Sequence, residues 1–242
     1  MGGRGLTTWL RRLRGRDEGR GIDTACRREL AETHIHAAQL LGHAVALRDH
    51  DTGAHNMRVA WMSSRLGETL DLDPAAMQSL MKGAFLHDVG KIGIPDAILL
   101  KPGPLAEEER QVMNRHPELG LELIRDIDWF ADASPVVAHH HERWDGAGYP
   151  GGLAGEAIPM AARIFTVVDV FDALVSERPY KPPLPLATAV GFLEQGAAGQ
   201  FDTAILEVFL PRAGGLFREL GDLGPAMAGP LLVAQRRRYF GV

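Results

Sequence analysis

The chain has 242 residues, of which 45% are hydrophobic and 24% are charged, and its net charge is -5. This composition is typical of a globular protein with a sizeable core, and the negative charge argues against a nucleic acid polymer as partner. The single cysteine, Cys26, excludes an internal disulfide. No apolar run approaches the roughly 18 residues that span a bilayer, and arginines interrupt the apolar N-terminal stretches, so we expect a cytoplasmic protein without a transmembrane segment.

Helical periodicity dominates the chain and predicts one all-α domain. Residues 1–21 carry six arginines and predict a basic, flexible tail, or alternatively a short amphipathic helix at a membrane or partner. A long helix is predicted over 22–48, the main domain over 49–220, and a C-terminal tail over 221–242. Within the main domain we expect a second helix after the sequence DTGAH, and further helices at 74–89, 107–125, 134–142, 160–177 and 187–220.

Two of these predicted elements have distinctive patterns. Asp73 followed by Pro74 is typical of a helix start, because the Asp side chain caps the helix and Pro is favoured at its first position. The helix at 160–177 is apolar on nearly every face, which indicates a central position. The segment 143–155 contains five glycines and a proline, so it is predicted to be a structured loop.

Imidazole and carboxylate side chains occur in five separate segments. These groups are the usual ligands of iron, manganese and zinc. A carboxylate inside the apolar central helix would cost several kcal/mol without a partner, and a metal ion removes that cost. The segments are DTGAH (Asp51 to His55), HDVGKIGIPD (His87 to Asp96), HP at His116, HHHERWDGAGYP (His139 to Pro150), and the central helix with Asp169 and Asp172.

Each segment also has a simpler interpretation by itself. The DTGAH sequence could form a helix-capping turn, the HHH run could be exposed, and Asp169 could pair with Arg163. Five such coincidences in one chain are improbable, so the combined pattern favours a metal centre.

The motifs that carry these residues resemble those of the HD-GYP family, a branch of the HD metal-dependent phosphohydrolases. The runs HDVGKIGIPD and HHERWDGAGYPGGLAG carry the resemblance, including His87-Asp88 and Gly148-Tyr149-Pro150. It extends over roughly residues 35–210. The resemblance implies a single HD-type helical bundle with a glycine-rich GYP loop, and a catalytic domain over 49–220.

The family resemblance also implies roles for individual residues. It implies two divalent metal ions, iron as first choice and manganese as second, with Asp88 bridging them. Asp88 and Lys91 are the implied catalytic residues. A third ion would use Asp51, where trinuclear family members have glutamate, with Asp49 matching a further carboxylate nearby. The implied metal ligands are His55, His87, Asp88, His116, His140, His141 and Asp169, and the implied substrate contacts are Lys91, Gly148, Tyr149, Asp172, Arg178 and Lys181.

The function that follows from the resemblance is hydrolysis of cyclic di-GMP to pGpG, GMP or both, with a metal-bridging hydroxide as nucleophile. Two alternatives remain open. One is a catalytically silent cyclic di-GMP sensor that recruits a signalling protein, and the other is a phosphodiesterase for another cyclic dinucleotide. The N-terminal helix either forms a homodimer or packs on its own domain.

Overall fold

The computed structural model describes residues 24–49, 54–177, 182–221 and 228–241. Across these four ranges the chain forms eleven α-helices and three short 3₁₀ helices, and its only β-pairs are two isolated bridges, so the predicted all-α fold is confirmed. The 3₁₀ helices are Val89–Gly93, Asp128–Ala133 and Gly155–Ala157. The α-helices are α1 Thr24–Arg48, α2 Ala54–Thr69, α3 Pro74–Leu86, α4 Asp96–Leu99, α5 Glu107–Met113, α6 His116–Ile124, α7 Ser134–His139, α8 Met160–Val175, α9 Leu186–Gln195, α10 Thr203–Gly221 and α11 Ala228–Phe240.

Helix α8 lies in the middle of the bundle, as its sequence predicts. It contacts α2, α3, α7, α9 and α10, and its apolar side chains Ile164, Phe165, Val167 and Phe171 are fully buried. Helix α3 is the second central element and packs against α1, α2, α7 and the 3₁₀ helix Asp128–Ala133. Burial of apolar surface on several sides of both helices therefore fixes their relative position.

The start of α3 follows the predicted capping chemistry. The Asp73 carboxylate accepts hydrogen bonds from the backbone N–H groups of Ala75 and Ala76, both at 2.8 Å, and Pro74 is the first helical residue. The bonds satisfy two of the N–H groups that lack a partner inside the helix.

Two predicted helices are each divided in the structure. The helix expected over 107–125 is α5 followed by α6, because Pro117 has no backbone N–H to donate to the Met113 carbonyl and so interrupts the helical hydrogen bonds. The helix expected over 187–220 is α9 followed by α10, since the chain turns after Gly196 and the Asp202 carboxylate accepts from the backbone N–H of Ala204 at 2.9 Å to begin α10.

The C-terminal residues differ from the predicted tail, because residues 228–240 form α11, which packs against α2 and α3. Leu232 and Tyr239 are buried on one face, whereas Arg237 and Arg238 are exposed. The arginine-rich segment concealed this narrow apolar face in the sequence pattern. The predicted N-terminal tail, residues 1–21, lies outside the described residues.

Helix α6 crosses the 3₁₀ helix Val89–Gly93 at very short distance. A Cβ atom at Gly90 would collide with the His116 carbonyl oxygen and the Gly120 backbone nitrogen. The glycine therefore allows α6 to bring His116 close to Asp88, with Nε2 of His116 3.4 Å from Oδ1 of Asp88. In the part of the chain that the structure describes, none of the helices has both the length and the apolar character needed to cross a membrane.

This close approach predicts that Gly90→Ala destabilises the fold by about 1–3 kcal/mol, because both colliding groups are backbone atoms that cannot rotate away. Gly191→Ala is the matched control. It lies inside α9 with open space around the added Cβ, and it should stabilise the protein by about 0.5–1 kcal/mol. Urea unfolding of both variants measures the difference, and equal stability of the two variants would contradict the prediction.

Candidate metal centre

The predicted ligand residues come together in two groups at the centre of the bundle. One group is His55, His87 and Asp169, and in each group the candidate ligand atoms lie within 4.8 Å of one another. Most of these side chains are buried, and they come from α2, α6, α8 and the segments that follow α3 and α7. The second group consists of Asp88, His116, His140 and His141.

Asp88 lies between the two groups. Its Oδ2 atom is 3.1 Å from Nε2 of His87, whereas its Oδ1 atom is 3.4 Å from Nε2 of His116 and 3.9 Å from Nε2 of His140. Burial raises the pKa of the Asp88 carboxyl, but the charge of Lys91 and the interaction with His87 lower it well below its ordinary value. A permanently ionised carboxylate thus presents one oxygen to each group.

The orientation of three histidine rings is fixed by carbonyl oxygens near the ends of helices. The Nδ1 atom of His87 donates to the Ala84 carbonyl in the last turn of α3, at 3.1 Å, and that of His140 donates to the Val136 carbonyl in α7, also at 3.1 Å. The Met113 carbonyl, which Pro117 leaves without its helical partner, accepts from Nδ1 of His116 at 2.9 Å. Because a carbonyl only accepts, each Nδ1 carries the proton and each Nε2 points inward.

The contact between His116 and His140 tests whether these residues suit a cation. Burial lowers the pKa of both rings, so both are neutral, and their Nε2 atoms are 3.2 Å apart. With Nδ1 protonated in each ring, two nitrogen lone pairs face each other and also face the Asp88 carboxylate. This arrangement is unfavourable without a positive charge between the atoms and favourable with one. The residues therefore fit a divalent metal ion.

His55 has a different environment, because two carboxylates flank it. Its Nε2 atom is 3.2 Å from Asp169, and its Nδ1 atom donates to Asp172 at 2.8 Å. Arg58 donates two hydrogen bonds to Asp172, at 2.6 and 2.8 Å. His55 and Arg58 are three residues apart on α2, and Asp169 and Asp172 are three apart on α8, so each helix presents a pair on one face.

Asp172 was predicted to contact substrate. In the structure its side chain is 1% exposed, and its two oxygens accept hydrogen bonds from His55 and Arg58. Its position orients His55 toward Asp169. Arg163, considered above as a partner for Asp169, instead donates to Asp202 at 2.7 Å.

Lys91 lies at the edge of the centre, in the 3₁₀ helix Val89–Gly93. Its Nζ atom is 2.9 Å from Asp88 Oδ2 and donates to Asp49 Oδ2 at 2.6 Å. Burial lowers the pKa of Lys91, but the charges of Asp88 and Asp49 raise it above its ordinary value, so the ammonium group stays charged.

The glycine-rich loop covers the second ligand group. The Tyr149 ring stacks on the His141 ring with centroids 4.7 Å apart, and its backbone N–H donates to the His141 carbonyl at 3.2 Å. A Cβ atom at Gly148 would collide with the backbone of residues 141–143. The loop is therefore in direct contact with the chain segment that carries His140 and His141.

This loop is held in position by a buried carboxylate, which the sequence analysis missed. Glu142 is 2% exposed and accepts hydrogen bonds from the backbone N–H groups of Gly151 at 2.7 Å and Leu153 at 3.1 Å. Glu142 directly follows two candidate ligands and precedes five glycines. This position could have indicated its role, because glycine-rich loops expose backbone N–H groups that need acceptors.

Three predicted site residues cannot be placed. Asp51, the predicted ligand for a third ion, and the predicted substrate contacts Arg178 and Lys181 all lie outside the described residues.

Residues 39–205 match the family model of the HD domain. A cyclic di-GMP phosphodiesterase of Vibrio cholerae is 40% identical over 201 residues, which cover 77% of this chain and 41% of the relative. A 3′3′-cGAMP-specific phosphodiesterase of the same organism is 41% identical over 157 residues, covering 64% of this chain and 30% of the relative. The chain spans about half the length, or less, of the curated relatives that it matches.

A solved structure has the same fold. Bd1817, described as an HDG"Y"P protein from Bdellovibrio bacteriovorus, superposes with a TM-score of 0.57 at 20% sequence identity. The match covers 78% of this chain and 64% of the other. At this identity the similarity concerns the fold alone.

The environment of His55 predicts proton release when metal binds. Burial lowers the pKa of His55, but hydrogen bonds to Asp169 and Asp172 raise it to about 10, so the metal-free ring is protonated at pH 8. A metal ligand must be unprotonated, and burial instead lowers the pKa of His116, His140 and, to about 4, that of His141. Binding of Mn²⁺ at pH 8 should therefore release about one proton per chain.

Calorimetric titration in two buffers of different ionisation enthalpy measures this proton. Asp172→Asn is the matched variant, because it removes one of the charges that raise the pKa of His55 and should reduce the number of protons released. Identical heats in both buffers for the unmodified protein would contradict the prediction.

Proposed function

Because the chain belongs to the HD domain family and carries the motifs of its HD-GYP branch, we propose that it is a metal-dependent phosphodiesterase that hydrolyses cyclic di-GMP. The observation that carries this proposal is the position of Asp88, with one oxygen facing His87 and the other facing His116. Such a carboxylate, between two groups of imidazole ligands, is suited to two neighbouring cations.

The two ligand groups support the proposed cofactors. His55, His87 and Asp169 would bind one divalent cation, and His116, His140 and His141 a second, with Asp88 shared between them. We propose iron as the native metal and manganese as the alternative, since imidazole and carboxylate ligands suit both. Cations in such a site lower the pKa of water and offset negative charge on a phosphoryl group.

The side chains around the ligands would act on the substrate. The Lys91 ammonium group, which Asp88 and Asp49 keep charged, would stabilise the negative charge that develops on the phosphate oxygens. Burial, then the negative charge of Asp88, raises the pKa of the Tyr149 phenol, so this group keeps its proton and can donate a hydrogen bond. Gly148 and Tyr149 would line the substrate side of the second ligand group, and Arg178 and Lys181 remain proposed phosphate and guanine contacts.

Two alternative functions remain open. A catalytically silent cyclic di-GMP sensor would need only binding and a signalling partner, but the chain retains the ligand atoms of both groups, and this retention favours an enzyme. A phosphodiesterase for another cyclic dinucleotide is consistent with the relative named as 3′3′-cGAMP-specific, which does not favour it over cyclic di-GMP. A cytoplasmic location remains part of the proposal, and fractionation of cells that express the protein would test it.

The first experiment measures turnover of cyclic di-GMP by anaerobically purified protein, with metal content determined on the same sample. We expect conversion to pGpG or GMP, about two ions per chain, and loss of turnover in Asp88→Ala, because this variant removes the ligand common to both groups. Asp126→Ala is the control, since that side chain is 87% exposed and lies outside the site.

The same assay separates the alternatives. Faster turnover of 3′3′-cGAMP would change the assigned substrate. Tight binding of cyclic di-GMP without turnover, at full occupancy with iron or manganese, would contradict the enzyme proposal and support the sensor alternative. A third ion in each chain would support the ligand role of Asp51, and two ions would contradict it.

We further propose a homodimer through α1. One face of this helix, with Ile35, Ala38 and Val45, is buried in the domain, whereas Leu30, Leu40 and Leu47 on another face are 55%, 68% and 63% exposed. Residues 26, 30, 33, 37, 40, 44 and 47 alternate in steps of four and three, the spacing by which two helices pair in a coiled coil.

Sedimentation of the whole chain tests the homodimer. We expect a dimer that Leu30→Glu with Leu40→Glu converts to a monomer, because two charges would be buried at the helix pair. Leu123→Glu, at a 47% exposed residue of α6, should leave the dimer intact. A monomeric unmodified chain would rule the homodimer out.

A further inference from the structure

Arg48, the last residue of α1, forms an unusually complete set of hydrogen bonds with the segment that contains Lys91. Its guanidinium group donates to the carbonyl oxygens of Lys91 at 2.8 Å, Ile92 at 3.0 Å and Ile94 at 2.6 Å. It also donates to the Asp96 carboxylate at 2.9 and 2.6 Å. Each guanidinium nitrogen therefore has at least one acceptor, and the contacts join residues more than 40 positions apart in sequence.

The carbonyl groups that receive these bonds have few other described donors. They belong to a single short 3₁₀ helix, Val89–Gly93, and the residue after it, and Ile92 is 54% exposed. Among the contacts of the described residues, the Lys91 carbonyl accepts from the Ile94 N–H, at 3.0 Å, and from Arg48. Arg48 thus supplies donors that the local backbone cannot provide.

The next residue of the chain acts on the other end of the same lysine. Asp49 accepts from Lys91 Nζ at 2.6 Å, while Arg48 donates to the Lys91 carbonyl. The end of α1 consequently fixes both the backbone and the ammonium group of Lys91. No described contact joins Arg48 to a candidate metal ligand.

We propose that Arg48 is a positioning residue for Lys91 in the phosphodiesterase reaction, an inference that rests on the proposed function. Without the guanidinium group, the carbonyls of Ile92 and Ile94 lose this donor and that of Lys91 keeps the Ile94 N–H. The backbone that positions the lysine can then shift, while the candidate histidine ligands keep their own hydrogen bonds. A displaced charge stabilises the reacting phosphate less well, and misplacement of about 1 Å can cost about 100-fold in rate.

The test is a double-mutant cycle on the whole chain with Arg48→Ala, Lys91→Ala and the combination of both. We expect Arg48→Ala to lower kcat by about 10- to 100-fold with metal content and KM for cyclic di-GMP nearly unchanged. The double variant should be no slower than Lys91→Ala by more than about twofold, because the two residues act as a unit. Arg48→Lys should be intermediate, since an ammonium group cannot bond three carbonyls in one plane.

Arg28→Ala is the matched control in the same helix. Arg28 is exposed and pairs only with Glu32 at 3.2 Å among its described contacts, so its loss should change neither kcat nor KM. Multiplicative rate losses in the double variant, or loss of metal together with kcat, would assign Arg48 a merely structural role and overturn the inference.

A second measurement does not depend on turnover. Amide hydrogen exchange of residues 91–96 should become faster in Arg48→Ala, with no change in α8 or in Arg28→Ala. Unchanged exchange would overturn the inference. If the unmodified protein hydrolyses no cyclic dinucleotide, the proposed function fails, while the exchange data still decide whether Arg48 fixes the position of Lys91.

Discussion

The hydrogen bond between a histidine Nδ1 atom and a carbonyl oxygen near a helix end is the interaction on which the whole centre depends. His87, His116 and His140 all make it, to carbonyls of α3, α5 and α7. A helix end leaves its last carbonyls without N–H partners, so a histidine ring close to that end can satisfy one of these carbonyls. The bond fixes both the tautomer and the direction of Nε2. The places where these helices stop therefore determine where the ligand atoms lie.

Asp88 extends this constraint from single rings to the entire centre. It follows His87 directly, and Gly90 lets α6 approach closely enough for His116 to reach it. The close packing of backbone against backbone, rather than long side chains, thus sets the distance between the two ligand groups. Buried ligands around one carboxylate would repel one another without a cation, so the fold and the proposed chemistry depend on the same ions.

That the candidate ligands belong together could be predicted from the sequence, because such residue types rarely coincide in five segments for any other reason. The central helix was also predictable, since Phe165 and its neighbours are apolar on every side. The break at Pro117 was readable in principle, because a proline cannot continue the hydrogen bonds of a helix that precedes it.

The supporting residues could not be predicted in this way. Arg58 and Asp172 meet although 114 positions separate them, and Arg48 meets Lys91 across 43 positions. Arginine and aspartate are common on surfaces, so neither has a distinctive pattern before the helices are placed. Asp172 illustrates the limit, because a buried carboxylate near a site has the same appearance in sequence whether it contacts substrate or orients a ligand.

The centre and its lysine have separate supports, and this separation has a consequence for control. The ligand histidines are fixed by α3, α5 and α7, whereas Lys91 is bonded to the end of α1, whose outer face is apolar and exposed. In the proposed enzyme, a small rotation or shift of α1 would move the Lys91 charge and leave the candidate metal ligands in place. Such an enzyme would keep its metal while idle and would become active without waiting for metal delivery.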